Sequence, residues 1–153
     1  MQNFDSNPNA LKENVLEKLK KHYSKTVVEH CLKPRNFRKL SSPDGYSKHT
    51  GSDGDIVEIF VQLDNKRVTD CTFSTDGCAA TIACGSIATD LMKGKLYSEA
   101  LNAVSPNKII AALGGLPDGN IHCAHKISQA LKLAMADGLA LKQSPWKKHY
   151  RRF

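Results

Sequence analysis

The sequence predicts a single α+β domain in which helices cover one face of a small antiparallel sheet. Three observations predict it. Residues 56–75 alternate with the period of a β-hairpin, the chain beyond residue 78 changes to helical spacing, and its 153 residues suit one buried core rather than two.

In chain order, residues 10–21 carry Leu11, Val15, Leu16 and Leu19 at helical spacing. A second helix is expected over residues 23–32 and ends before Pro34, because proline disfavours a helical residue ahead of it. Residues 35–54, rich in Ser, Gly, Pro and Asp, read as loop with room for one short edge strand. Val57, Ile59, Val61 and Leu63 then share one parity. Glu58 and Gln62 take the other, together with Ile56 and Phe60. Asp64-Asn65-Lys66 turns the chain, and residues 68–75 return with Cys71 and Phe73 on one face.

The helix expected over residues 78–92 is crowded with Ala79, Ala80, Ala83, Gly85, Ser86 and Ala88, which let its backbone approach a neighbour, and Gly94 closes it. Two short helices follow over 97–104 and 105–113. The second has Ser105 as N-cap, Pro106 in its first turn and Gly114-Gly115 past its end. Leu116-Pro117-Asp118-Gly119 is a turn, and a long helix begins near residue 122 with a stripe of Ile127, Leu131, Ala134, Met135 and Gly138.

The hydrophobic share of 41 % and charged share of 24 % are those of an ordinary globular protein. No run approaches the roughly 20 apolar residues that cross a bilayer. Residues 1–21 contain neither an apolar stretch nor arginine, so neither a secretory signal nor a transit peptide is expected, and the expected setting is cytoplasmic without membrane association. Much of the net charge of +7 lies in the tail, Trp146-Lys147-Lys148-His149-Tyr150-Arg151-Arg152. That composition reads as a solvated end or a docking strip for an acidic protein; no nucleic-acid module accompanies it, and nucleic acid is not an expected partner.

Five cysteines, Cys31, Cys71, Cys78, Cys84 and Cys123, make an odd count with no export signal, which argues against a disulfide framework and for reduced thiols. Cys78 and Cys123 each fall where a turn becomes a helix N-terminus, and there unpaired amides and the helix dipole favour a thiolate, the form that binds soft metal or accepts sulfur. His122 directly precedes Cys123, and Asp53 and Asp55 lie just before the first hairpin strand. If that strand starts beside the two helix starts, carboxylates, imidazole and thiolates converge in a number that suits a four-coordinate metal or a small cluster. Cys84, six residues after Cys78, points about 240° round the helix and away from it. Cys31, Cys71 and Cys84 read as small core residues. His22, His30, His49, His125 and His149 show no evident partner; His125, three residues after His122, reads as part of a solvated face, with support of the site from behind its ligands as the alternative.

Three segments resemble one known family. Residues 23–30 with Lys33-Pro34-Arg35-Asn36, then Gly77-Cys78 with Ala88-Thr89-Asp90-Leu91-Met92-Lys93-Gly94-Lys95, then Ile121-His122-Cys123, are similar in order and spacing to the NifU-like, IscU-type iron–sulfur cluster scaffolds. The resemblance covers residues 22–142 and leaves 1–21 as an N-terminal extension, expected to be helical, and 143–153 as a basic tail. It implies a SufE/NifU-like fold with a three-stranded sheet, and a site at the sheet tip for a transient [2Fe–2S] cluster, iron or zinc. It implies docking to a cysteine desulfurase, with Cys123 matching the cysteine that takes the persulfide, and delivery to recipient apo-proteins. Tyr23 and the C-terminal helix match regions that meet partners. The expected state is a monomer or weak homo-oligomer.

Two departures stand out. The family's first cysteine, in Cys-Gly-Asp, is Asp53 in Asp53-Gly54-Asp55 here, and the Leu-Pro-Pro-Val recognised by an Hsp70-type chaperone is Leu116-Pro117-Asp118-Gly119, so chaperone-driven release is not implied. A carboxylate is a harder, less covalent ligand than a thiolate, which points to a labile cluster or to zinc. Asp53 and Asp55 both stand as candidate ligands beside Cys78, His122 and Cys123, and Asp53 capping a turn is the plain alternative. The expected function is a scaffold and carrier, not an enzyme. A zinc-bound sulfur acceptor of the sulfurtransferase type is the first rival. A Cys123–His122 hydrolase is the second, disfavoured because adjacent helical residues point about 100° apart and no third orienting group is evident.

Overall fold

The computed structural model describes residues 8–150. Helices α1 (Pro8–His22) and α2 (Lys25–Leu32) precede strands β1 (Gly45–Thr50), β2 (Ile56–Asp64) and β3 (Arg67–Thr75). Helices α3 (Ala79–Met92), α4 (Tyr97–Ala103), α5 (Pro106–Ala112) and α6 (Ile121–Gln143) follow, with a 3-10 turn at Asp118–Asn120 and another at Pro145–Tyr150. The sheet is antiparallel in the order β1-β2-β3. This is the α+β architecture the sequence predicts, with the three strands that the family resemblance implies.

The hairpin follows from its alternation. Val57, Ile59, Val61 and Leu63 are buried beneath the helices, and Asn65 and Lys66 both take positive φ, +49° and +63°, as a tight two-residue turn between twisted strands requires. A register shift at Gln62/Leu63 pairs Leu63 with Val68 and Gln62 with Asp70, so Val68, Cys71 and Phe73 all reach the core. The other face is not bare. Phe60 is buried there beside Tyr46, their rings 5.3 Å apart, and Tyr46 donates its hydroxyl to Glu58 at 2.6 Å.

Small residues bring the layers together. A Cβ at Gly85 would stand 2.5 Å from the Phe73 ring, so α3 settles on β3 only because position 85 has none. Gly45 does the same for β1 against α6, where an added Cβ would meet the Ala134 carbonyl at 2.2 Å. Ser47 completes that contact by donating to the Ala130 carbonyl at 2.7 Å.

The Pro34-Arg35-Asn36 turn laces the segment after α2 onto α3 and β3. The Arg35 amide donates to Ser86 Oγ at 2.8 Å, and its guanidinium meets Asp90 at 2.8 Å. Asn36, at φ +63°, accepts from the Phe73 amide at 3.0 Å and donates to Thr89 at 3.1 Å. His30, expected to stand alone, is instead buried with Nδ1 2.7 Å from Ser86 Oγ, and burial followed by the Arg35 charge lowers its pKa. The start of the basic tail also has a partner: Lys148 Nζ lies 3.0 Å from Asp44, whose other oxygen accepts the Leu63 amide at 2.8 Å. Of the expected extension, residues 1–7 lie outside the described residues, as do 151–153 of the tail.

Candidate functional site

Three chain reversals meet at one end of the sheet. The β1–β2 loop closes on itself, with the Gly51 amide donating to the Asp55 carbonyl at 2.9 Å and the Asp55 amide to Asp53 Oδ1 at 3.2 Å. The β3–α3 turn is tied beside it, because the Ile56 amide donates to Asp76 at 2.8 Å and Thr75 Oγ1 to the Ile56 carbonyl at 2.7 Å. Cys78 is the N-cap of α3, and Cys123 stands in the first turn of α6. The two helix starts and the β1–β2 loop therefore share one end of the sheet, as the sequence reading required.

Cys78 Sγ and Cys123 Sγ lie 3.9 Å apart. Thiolates bound at about 2.3 Å to one tetrahedral ion stand about 3.8 Å from each other. The pair is thus already spaced as two ligands of one ion, and it is bonded to no other cysteine, all five being free. His122 Nε2 is 3.7 Å from Cys123 Sγ and 3.6 Å from Asp53 Oδ2, so imidazole and carboxylate follow the thiols in a chain of neighbours. Still, among the described residues no group of three or more His, Cys, Asp or Glu side chains is arranged to hold a metal ion.

What stands beside Asp53 instead is a cation. Lys126 Nζ donates to both of its oxygens, at 3.1 and 3.0 Å, and lies 3.6 Å from Asp55 Oδ2. The hydrogen bond from Lys126, then that from the Asp55 amide, holds the Asp53 carboxyl down to about 2. Burial works against the Lys126 charge, but Asp53 and then Asp55 outweigh it and raise its pKa. Asp53 thus does cap its turn, as the plain alternative held, and it also carries an ion pair. A cleft of about 330 Å³ opens here, with His49, Asp53, His122, His125 and Lys126 among its walls.

The two thiols are unequal. Partial burial pushes Cys78 up, but hydrogen bonds from the Thr81 amide and hydroxyl, the Ala80 amide and Cys123 outweigh it, so its pKa is lowered. Thr81 Oγ1 is 3.6 Å from the sulfur. Cys123 is fully buried, and burial, with the charge of Cys78 beside it, leaves its pKa raised despite the Thr81 hydrogen bond. The thiolate character expected of both residues therefore belongs first to Cys78, which is exposed. The difference arises from packing: Cys78, an N-cap, faces solvent, whereas Cys123, three positions past its own N-cap Asn120, points into the core.

Of the three cysteines assigned to the core, Cys71 and Cys84 are buried there, and burial raises both, Cys71 to about 12. Cys31 is only half-buried, and after burial it is the charge of Cys78 that raises its pKa, so it borders the site rather than filling the core. Two functional neighbours went unnoticed in sequence. Thr81 follows Cys78 by three residues, and Lys126 follows Cys123 by three and His122 by four, spacings that put each on the same helical face. Tyr23 also borders the pair: its hydroxyl is 3.5 Å from Asn120 Oδ1, and burial and then the charges of Cys78 and Cys123 raise its pKa.

Paired thiols held at one ion's spacing on a rigid α+β frame mark a protein of the kind that handles soft metal or sulfur. Residues 22–143 match the NifU-like N terminal domain, and the chain belongs to that family. It is 38 % identical over 117 residues to the iron–sulfur cluster assembly scaffold protein IscU 1 of Archaeoglobus fulgidus, covering 75 % of each chain. To the iron–sulfur cluster assembly protein IscU of Plasmodium falciparum it is 35 % identical over 138 residues, 83 % of this chain and 82 % of that one. A solved structure from Fervidobacterium islandicum AW-1, described as an iron–sulfur cluster assembly scaffold of the SUF system, matches with a TM-score of 0.61 at 18 % identity. That match covers 74 % of this chain and 96 % of the other, and it is a likeness of fold.

Proposed function

We propose that this chain is an iron–sulfur cluster assembly scaffold. It receives sulfur from a cysteine desulfurase, combines it with iron, holds a transient [2Fe–2S] cluster and passes it to recipient apo-proteins. The observation that carries this is the 3.9 Å between Cys78 and Cys123, a separation two thiolates adopt on one tetrahedral iron. The names of its relatives support it.

In the sulfur step Cys123 gives its proton to the Cys78 thiolate across their shared hydrogen bond and attacks the outer sulfur of the desulfurase persulfide. The S–S bond breaks, the desulfurase cysteine leaves as a thiolate, and Cys123 holds the new persulfide. Cys78 and Cys123 share a hydrogen bond, so proton loss from one is coupled to the other. Iron is then held by Cys78 and Cys123, completed from Asp53, Asp55 and His122. Carboxylate ligation is less covalent than thiolate ligation and makes the cargo easier to give up. The role is read as scaffold rather than enzyme, in keeping with the scaffold name of the Archaeoglobus fulgidus relative. Among the described residues no helix is long and apolar enough to cross a membrane. A reducing setting such as the cytoplasm keeps the free thiols competent.

Anaerobic reconstitution with iron and sulfide tests this. The wild type should develop the visible absorbance of a [2Fe–2S] centre, Cys123→Ser should lose both sulfur acceptance and the cluster, and Asp53→Cys should lengthen the cluster's lifetime. A colourless protein that keeps one zinc, accepts sulfur and builds no cluster would instead establish the zinc-bound sulfur acceptor.

A further inference from the structure

Lys126 is an unusual side chain in this setting. It belongs to the buried face of α6, between Cys123 and Ile127, and only 5 % of its side chain is exposed. Lysine is almost never buried to this degree unless it is paired. Its partner is Asp53, gripped through both oxygens at 3.0 and 3.1 Å. The loop is shaped to permit the grip: a Cβ at Gly51 would stand 2.7 Å from Asp53 Oδ1, 3.1 Å from Lys126 Nζ and 3.2 Å from Lys126 Cδ. Asp53 and Lys126 meet in the space that a side chain at 51 would take.

We propose that Lys126 is a built-in counter-ion that fills the cation's place beside Asp53 in the metal-free protein, and that incoming iron must displace it, so that Lys126 sets how tightly the site holds its cargo. This rests on the scaffold function proposed above. Two cations cannot occupy the same carboxylate edge at bonding distance, because their mutual repulsion is strong at a few ångströms. Removing a partner from a buried ammonium is costly, which would ordinarily lock the pair. Here Asp55 Oδ2, already 3.6 Å from Nζ, provides a second partner, so the ammonium can pass from Asp53 to Asp55 without being stranded. Loading then frees Asp53 as a ligand and assigns Asp55 to the lysine. On release the lysine returns to Asp53 and closes the site behind the departing iron.

The opposing possibility is that Lys126 orients Asp53 for the metal, and the two predict opposite signs. The experiment titrates Co2+ into the metal-free full chain and follows the thiolate-to-cobalt charge-transfer absorbance. Lys126→Met should bind Co2+ about tenfold more tightly than wild type, the scale of coupling between ligands that compete for one group. Lys126→Arg, which keeps the charge, should behave as wild type. On an Asp53→Asn background most of the Lys126→Met gain should disappear. If Lys126→Met melts below the assay temperature, Lys126→Gln is read in its place. Unchanged or weaker binding overturns the proposal, and so does a gain that persists undiminished without the Asp53 carboxylate. The scaffold reading is scored separately, by reconstitution with iron and sulfide. A wild type that builds no cluster while the cobalt differences hold removes that reading and leaves the counter-ion. A wild type that builds one, with equal cobalt affinities across the variants, removes the counter-ion alone.

Discussion

Replacing Cys123 with Ala takes from Cys78 one of the hydrogen bonds that favour its thiolate. The Cys123 Sγ is 3.9 Å from the Cys78 Sγ, and the Thr81 hydroxyl at 3.6 Å remains as a donor, together with the Ala80 and Thr81 amides. A hydrogen bond to a charged acceptor contributes about 1.5–3 kcal/mol, and a thiol is a weak donor, so the low end applies. About 1.4 kcal/mol is a factor of ten in an ionisation equilibrium. The sign follows: losing the donor raises the Cys78 pKa, so at a fixed pH on the acid side of its titration the thiolate fraction falls. Iodoacetamide labelling of the metal-free chain across pH, read on the Cys78 peptide by mass spectrometry, measures it. Cys123→Ala should slow labelling of Cys78 by about tenfold below the inflection and move the inflection to higher pH. Cys123→Ser, which keeps a hydroxyl donor, should fall between. Superimposable profiles for wild type and Cys123→Ala, or faster labelling in the variant, would refute the claim that the two sulfurs are hydrogen-bonded.

Further outcomes follow from the same geometry. Thr81→Val should also slow Cys78 labelling while leaving the fold intact by circular dichroism, since it removes the hydroxyl at 3.6 Å and keeps the volume. Gly85→Ala should lower stability by about 1–3 kcal/mol in denaturant unfolding, because the new methyl must push the Phe73 ring away. Cys84→Ala, in the core and outside the ligand set, should cost stability by about 1 kcal/mol at most and leave Co2+ affinity unchanged; a loss of affinity would place Cys84 among the ligands. The Asp53 carboxyl should titrate near 2 by carbon-detected NMR. Because that value is depressed in the folded state, the Lys126 pair contributes above the ordinary aspartate range and is lost as pH falls toward 2; a midpoint near the ordinary value means the pair is absent in solution.

Most of the framework follows from local chemistry, and it was legible for that reason. Alternation through Val57, Ile59, Val61 and Leu63, the stop at Gly94 and the Pro106 helix start each depend on a few adjacent residues, and all appear as expected. Strand β1 was harder. Gly45-Tyr46-Ser47-Lys48-His49-Thr50 has no apolar alternation, and its extended form comes from pairing with β2 and from α6 lying across Gly45 and Ser47. The starts of α3 and α6 were likewise visible, and with them the two thiols that matter.

Order along the chain therefore established the elements, the placing of Cys78 and Cys123 at helix starts, and the carboxylates just before the first hairpin strand. Only the packed molecule decided that Cys78 is the exposed and more acidic thiol, that Cys31 borders the site, and that a buried lysine holds Asp53. Ionisation and pairing depend on which groups exclude water and which charges come within a few ångströms, and those neighbours arrive from distant segments. Local spacing can put a side chain on a face, but its charge state is set by what the rest of the chain folds against that face.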